Sequence, residues 1–101
     1  MDLTPTTFDE AINESPVPVV IDFWADWCGP CHAISPILEE IAAENPDAVR
    51  IHKVDVDAYP ELALRFDAMS LPTLVVLEDG QVVKRLVGAR GKRHLLAELL
   101  G

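Results

Sequence analysis

Short apolar runs alternate along this chain with segments of helical periodicity. Residues 17–24 form a β-branched and aromatic run, which is typical of a strand buried on both faces of a sheet. A second strand is predicted over residues 49–56, although its apolar alternation is imperfect. Residues 74–77 and 81–83 flank an Asp79-Gly80 pair, and this arrangement predicts a hairpin with a primed turn.

The first helix has two candidate starts in the sequence. The stretch Thr7-Phe8-Asp9-Glu10 has the S/T-x-x-E form of a capping box, whereas Thr4 followed by Pro5 is a competing N-terminus. We expect this helix to end near Glu14.

Three further helices follow from periodicity and proline placement. Apolar residues recur at helical spacing over 34–42, with Pro36 inside the helix, where it should bend it. Pro60 is placed like the first-turn proline of a helix that carries Leu62, Leu64 and Phe66. Leucines at positions 95, 96, 99 and 100 close the chain as an amphipathic helix. The pattern predicts one α/β domain over residues 1–101 with a mixed sheet.

Composition is that of a soluble globular protein of 101 residues, half of them apolar. The 17 acidic and 8 basic residues give a net charge of −9, which argues against nucleic acid or an anionic membrane as the main partner. The apolar runs are too short to cross a bilayer, and the N-terminus lacks the features of a secretory signal. Two cysteines are too few for a secreted disulfide scaffold, so the composition predicts a cytoplasmic protein.

Both cysteines lie in the stretch Trp27-Cys28-Gly29-Pro30-Cys31, and three interpretations compete for them. A C-x-x-C pair between a strand and a helix is typical of a redox dithiol. A zinc site needs two more ligands, yet the histidines at 32, 52 and 94 are scattered, so only a site shared between two chains stays open. The third interpretation is a pair of packed free thiols or a clip that closes a tiny loop.

The redox interpretation assigns a part to each residue of the stretch. Cysteines three positions apart meet on the first turn of a helix, where unpaired N–H groups and the dipole favour a thiolate. Cys28 should lie at the exposed end and attack, and Cys31 should resolve the mixed disulfide. Pro30 stiffens the turn, Gly29 lets a substrate backbone approach, and Trp27 presents an apolar rim.

The sequence resembles the thioredoxin family over nearly its whole length, through FWADWCGPC, a proline in the following helix, SLPT and a glycine-containing strand end. The resemblance implies a three-layer thioredoxin fold and an enzyme that reduces disulfides in substrate proteins. The segment Leu71-Pro72-Thr73 is similar to the family's cis-proline loop facing the disulfide, although the sequence leaves the cis geometry open. A docking surface is implied, formed by Trp27, Gly29, Pro30, Leu71, Pro72, Thr73, Val87, Gly88 and Ala89. The alternative is that Val87 and Ala89 simply end a strand and that Gly88 is a bend.

Asp22 interrupts an apolar strand, where a carboxylate costs free energy unless it is solvated, paired or protonated. By resemblance it is the family's buried acid beneath the inner cysteine, with a pKa raised by burial, and it would accept the proton of Cys31. Lys53 matches the lysine that moderates this acid. The alternatives are an edge position facing water for Asp22 and an ordinary exposed lysine for Lys53.

Three further residues or segments bear on the comparison with the family. His32 stands where many members have Lys or Arg, so it either tunes the dithiol or is a plain surface histidine. The segment before Thr4 is so short that the first edge strand is expected to be reduced or absent. Trp24 is predicted to belong to the core, with a part in shaping the site as the alternative.

The resemblance also implies the partners. The protein itself should bind no cofactor and act as a monomer, and a flavoprotein thioredoxin reductase should pass it electrons from NADPH, with a ferredoxin-linked reductase as the alternative. The first rival function is an oxidase or isomerase on the same fold, against which the Gly29-Pro30 pair stands. The second is a redox-inert binding or assembly module that uses the same apolar face.

Overall fold

One four-stranded sheet forms the centre of the computed structural model, which describes residues 3–101. The strands are β1 (Val19–Trp24), β2 (Arg50–Asp55), β3 (Thr73–Glu78) and β4 (Gln81–Val87), in the order β2-β1-β3-β4. Strand β1 runs parallel to β2 and antiparallel to β3, and β3 runs antiparallel to β4. The sheet is therefore mixed, as predicted, and β1 lies inside it.

The helices are α1 (Pro5–Asn13), α2 (Gly29–Glu44), α3 (Pro60–Arg65) and α4 (Lys92–Leu100). The start of α1 at Thr7 was wrong, because Thr4 is the N-cap. Pro5 takes the first helical position, where its missing N–H is not needed, and the Thr4 N–H donates to Thr7 Oγ1 at 3.1 Å.

Two apolar cores lie on opposite faces of the sheet, as the period of two along a strand requires. In β1, Val19, Ile21 and Phe23 pack on the face covered by α1 and α3. Val20 packs on the other face, against residues of α2 and α4. Asp22 has the same parity as Val20, so the strand directs its carboxyl group under α2.

The hairpin between β3 and β4 confirms the primed turn. Asp79 and Gly80 both have positive φ, 51° and 77°. Helix α2 continues through Pro36. Helix α3 carries Leu62 and Leu64 as predicted, but Phe66 is its C-cap and not a helical residue. Leu62 and Phe66 are buried, whereas the Leu64 side chain is 72 % exposed.

The prediction of a reduced N-terminal edge strand concerns Met1 and Asp2, which lie outside the described residues. Leu3 is described, and its N–H donates to the Lys53 carbonyl of β2 at 2.7 Å. Between residues 3 and 101, no helix has the length and apolar character needed to cross a membrane.

Candidate active site

The two cysteines are joined in a disulfide at the start of α2, with their Cα atoms 5.3 Å apart. Strand β1 ends at Trp24, a short loop follows, and Cys28 is the N-cap of the helix. Cys31 lies in the first turn, and its backbone N–H donates to Cys28 Sγ at 3.2 Å. The unpaired N–H groups at the start of the helix therefore point toward the sulfur of Cys28 rather than that of Cys31.

Both cysteines are buried, which contradicts the expectation that Cys28 lies exposed. Cys28 is 5 % exposed and Cys31 is 2 % exposed. They pack in a small apolar cluster together with Ala25, against which Trp24, Val56 and Leu71 also rest. The cluster covers the sulfur of Cys28 in the oxidised state, and this covering was not visible in the sequence because it comes from distant segments.

An exposed aromatic rim borders the disulfide. Trp27 is 71 % exposed, and its Nε1 donates to Asp57 Oδ2 at 2.8 Å. Gly29 and Pro30 are exposed beside it. Asp57 was missed in the sequence, although a clue existed: the parallel pairing of β1 with β2 brings the chain after Asp55 next to the chain after Trp24.

The loop before β3 brings the predicted docking segments together. The Leu71-Pro72 bond is cis, and Leu71 contacts the cysteine cluster. The Pro72 carbonyl accepts a hydrogen bond from the Gly88 N–H at 2.9 Å, and Thr73 pairs with Val87. The Thr73 hydroxyl donates to the Ser70 carbonyl, which holds the loop from inside. Val87 is 47 % exposed, and Ala89 follows Gly88 as an exposed residue.

Asp22 lies at the centre of the sheet, between Lys53 on β2 and Leu74 on β3. It is 1 % exposed, and neither carboxylate oxygen has a hydrogen-bond partner. Burial raises the pKa of Asp22 to about 6, against an opposing effect of the Lys53 charge. The alternative of an edge carboxylate facing water was therefore wrong.

Lys53 is half-buried, so the alternative of an ordinary exposed lysine was wrong too. Its Nζ donates to Ser35 Oγ at 3.1 Å and lies 4.4 Å from the centroid of the Trp24 ring. Trp24, predicted as core, thus touches both the lysine and the cysteine cluster. Ser35 was missed in the sequence, where only its position one turn after Cys31 pointed to the site.

His32 is exposed at the surface of α2, and its Nε2 lies 2.7 Å from the Asp26 carbonyl. Its ring stands edge-on to that of Trp24, with the centroids 6.1 Å apart. Among residues 3–101 there is no group of three or more His, Cys, Asp or Glu side chains arranged to hold a metal ion.

A family model described as Thioredoxin matches residues 1–100. The chain belongs to the thioredoxin family. Among relatives, the thioredoxin of Mycobacterium tuberculosis is 50 % identical over 97 residues, which cover 96 % of this chain and 84 % of that protein. The thioredoxin of Mycolicibacterium smegmatis is 50 % identical over 99 residues, with 96 % and 88 % covered. A bifunctional thioredoxin reductase/thioredoxin of Mycobacterium leprae is 46 % identical over 99 residues, which are 98 % of this chain but 22 % of that protein.

Membership of the thioredoxin family fits the fold already described, four helices around a mixed four-stranded sheet. With the bonded Cys28–Cys31 pair, it makes this chain a thiol–disulfide oxidoreductase of the protein-disulfide reductase class. The redox interpretation of the C-x-x-C pair is confirmed, and the redox-inert module is not favoured.

Proposed function

We propose that this chain carries electrons to disulfides in other proteins, with Cys28 as the attacking thiolate and Cys31 as the resolving thiol. The observation that carries this division is the hydrogen bond from the Cys31 N–H to Cys28 Sγ at the N-terminus of α2. A thiolate on Cys28 receives that hydrogen bond at the positive end of the helix dipole, whereas Cys31 lies further along the first turn and receives no such bond.

The reaction then balances in two exchanges. The Cys28 thiolate bonds to one sulfur of the substrate disulfide, and the other substrate sulfur leaves as a thiolate and takes up a proton. Cys31 loses its proton and attacks Cys28 Sγ, which breaks the mixed disulfide and releases the second substrate thiol. Two electrons pass to the substrate, and the Cys28–Cys31 disulfide of the structure is the product.

Asp22 is the proposed acceptor of the Cys31 proton, and Lys53 moderates it. The carboxyl group lies under the helix that carries Cys31, without a hydrogen-bond partner of its own. A pKa of about 6 lets it be ionised near neutral pH while it stays a better base than an exposed aspartate.

The docking surface for the substrate chain is proposed to follow the rim of the disulfide. Exposed apolar side chains suit an extended polypeptide, and the buried Pro72 shapes the loop beside them without an N–H that would need a partner. Thr73 supports the loop from inside rather than touching the substrate. The residues proposed to line or support the surface are Trp27, Gly29, Pro30, Leu71, Pro72, Thr73, Val87, Gly88 and Ala89.

A separate flavoprotein reductase is the proposed source of electrons, which it takes from NADPH. The Mycobacterium leprae relative, whose name joins a thioredoxin reductase to a thioredoxin, supports a partnership of this kind. A bound cofactor is not needed in this scheme, because the dithiol itself stores the two electrons. We further propose a monomeric single domain that works in the reducing cytoplasm.

Serine variants test the division between the cysteines. With a small aromatic disulfide whose released thiolate is coloured, reduced wild-type protein should release two equivalents of thiolate. Cys31→Ser should release one and keep the other as a stable mixed disulfide on Cys28, because no resolving thiol remains. Cys28→Ser should react far more slowly, since the Cys31 sulfur lacks the helix-terminal hydrogen bond that Cys28 receives. Rapid adduct formation on Cys31 in that variant would overturn the assignment.

A further inference from the structure

We propose that Ser35 is a positioning residue that holds the Lys53 ammonium away from Asp22 and so keeps the carboxylate unpaired. The inference rests on the proposed role of Asp22 as proton acceptor and adds a residue to that part of the site. Lys53 and Asp22 are placed to form an ion pair, but they do not form one. Lys53 is the register partner of Asp22 on the neighbouring strand, yet both carboxylate oxygens lack a hydrogen-bond partner.

The Lys53 side chain is held by two other groups. Its Nζ donates to Ser35 Oγ at 3.1 Å, and it lies 4.4 Å from the centroid of the Trp24 ring. An ammonium near a buried carboxylate is strongly drawn to it, because the local dielectric is low. The serine hydroxyl and the indole ring together offer the charge a hydrogen bond and a cation–π contact elsewhere.

Ser35 lies where it can act on both partners of the proton transfer. It follows Cys31 by one helical turn on the same face of α2. It also lines a cavity of about 350 Å³ together with Asp22, Leu38, Glu39, Ala42, Ile51 and Lys53. The cavity gives the ammonium room to swing from the hydroxyl toward the carboxylate.

The groups that face Asp22 come from three elements. Strand β2 contributes Lys53, helix α2 contributes Glu39, and strand β3 contributes the apolar Leu74. Lys53 is the one cation of this set, and its charge lowers the pKa of Asp22 against the larger effect of burial. A closer Lys53 would lower that pKa further and weaken Asp22 as a base.

The Ser35→Ala variant tests this arrangement. The methyl group offers Lys53 no acceptor, so the ammonium should turn to Asp22, and the titration midpoint of Asp22 should fall by about one pH unit. The measurement is the carboxyl carbon resonance of Asp22 followed over pH in the oxidised protein, where neither cysteine titrates. Ser35→Thr keeps the hydroxyl and should keep the wild-type midpoint.

A second experiment, in a variant that lacks the Lys53 charge, shows whether Ser35 acts through Lys53 or disturbs the site in another way. Lys53→Met should raise the midpoint, and adding Ser35→Ala to it should change nothing further, because Ser35 acts through Lys53. An unchanged or raised midpoint in Ser35→Ala, a Thr variant that behaves like the Ala variant, or an equal fall in the Lys53→Met background would each overturn the proposal.

The proton-acceptor role of Asp22 and the positioning role of Ser35 are tested by different measurements, so one can be wrong while the other holds. If Asp22→Asn leaves the rate of mixed-disulfide resolution unchanged, the proton-acceptor role is wrong. The midpoints still report whether Ser35 positions Lys53, since they need no turnover.

Discussion

Asp22 is a single residue whose burial makes the free energy of folding depend on pH. Its pKa is about 6 in the folded chain against an ordinary value of 3.8. The folded state therefore binds more protons than the unfolded state between these two values. The stability associated with the protonated carboxyl is fully present below the ordinary pKa and is lost as pH rises through about 6.

The Asp22→Asn variant should lose this pH dependence. A rise of this size corresponds to about 3 kcal/mol in full, of which about 2 kcal/mol falls between about pH 4 and about pH 8. Over that range the stability of the wild type should therefore fall by about 2 kcal/mol relative to the variant. Denaturant unfolding of both proteins at the two pH values measures the difference. Equal pH dependence in the two proteins would mean that Asp22 is solvated, in conflict with its position.

Single residues also show which parts of the site a sequence can reveal. Cys28, Cys31 and Asp22 stand out because two thiols and one carboxylate are unusual in an apolar setting. Ser35 and Asp57 do not, since a serine on a helix and an acid in a loop are ordinary in isolation. Their contacts with Lys53 and Trp27 exist only once β1, β2 and α2 are packed together.

At the scale of elements, the local sequence predicted the hairpin turn more clearly than it predicted the start of the first helix. Asp79-Gly80 suits only a few turn types, so the sequence was sufficient there. Two overlapping N-terminal patterns competed in α1, and the choice fell to Thr4 because Pro5 fits the first helical position. Leu64 is exposed because of how α3 is turned against the sheet, and a helix of fewer than two turns has too few residues for periodicity to predict its buried face.

The turn of this hairpin offers a test of backbone strain. Gly80 has φ of +77°, where a Cβ atom costs about 1–2 kcal/mol. Gly80→Ala should lower the free energy of unfolding by about that much. Gly80→Asn is the matched control, because it adds the same Cβ near the Asn13 side chain but tolerates positive φ better. Equal losses in the two variants would assign the effect to crowding against Asn13 instead.

At the scale of the whole molecule, folding and redox state are coupled through the disulfide. Closing the loop of residues 28–31 restricts the unfolded chain and should stabilise the oxidised protein by about 2 kcal/mol over the reduced one. By linkage, the folded dithiol should be a stronger reductant than the same cysteines in the unfolded chain by about 40 mV.

The reduction potential tests this coupling and the direction of electron flow. It can be followed through Trp24 and Trp27 fluorescence in defined thiol–disulfide buffers, in native conditions and in denaturant. We expect a native value well below that of the glutathione pool, since roughly 30 mV is a factor of ten for two electrons. A native value above the pool, or above the denatured value, would favour an oxidase or isomerase.

Strand β4 bears on how the molecule behaves among copies of itself. It is an outer strand with Val82, Val83 and Val87 exposed, and such edges recruit strands from other chains. Lys84 and Arg85 lie between these valines, and Lys84 is held in place by Glu98 of α4. Two copies that approach edge to edge would have to desolvate these charged side chains before their backbones could pair. In a crowded solution, the two charged side chains should therefore oppose growth of the sheet from this edge.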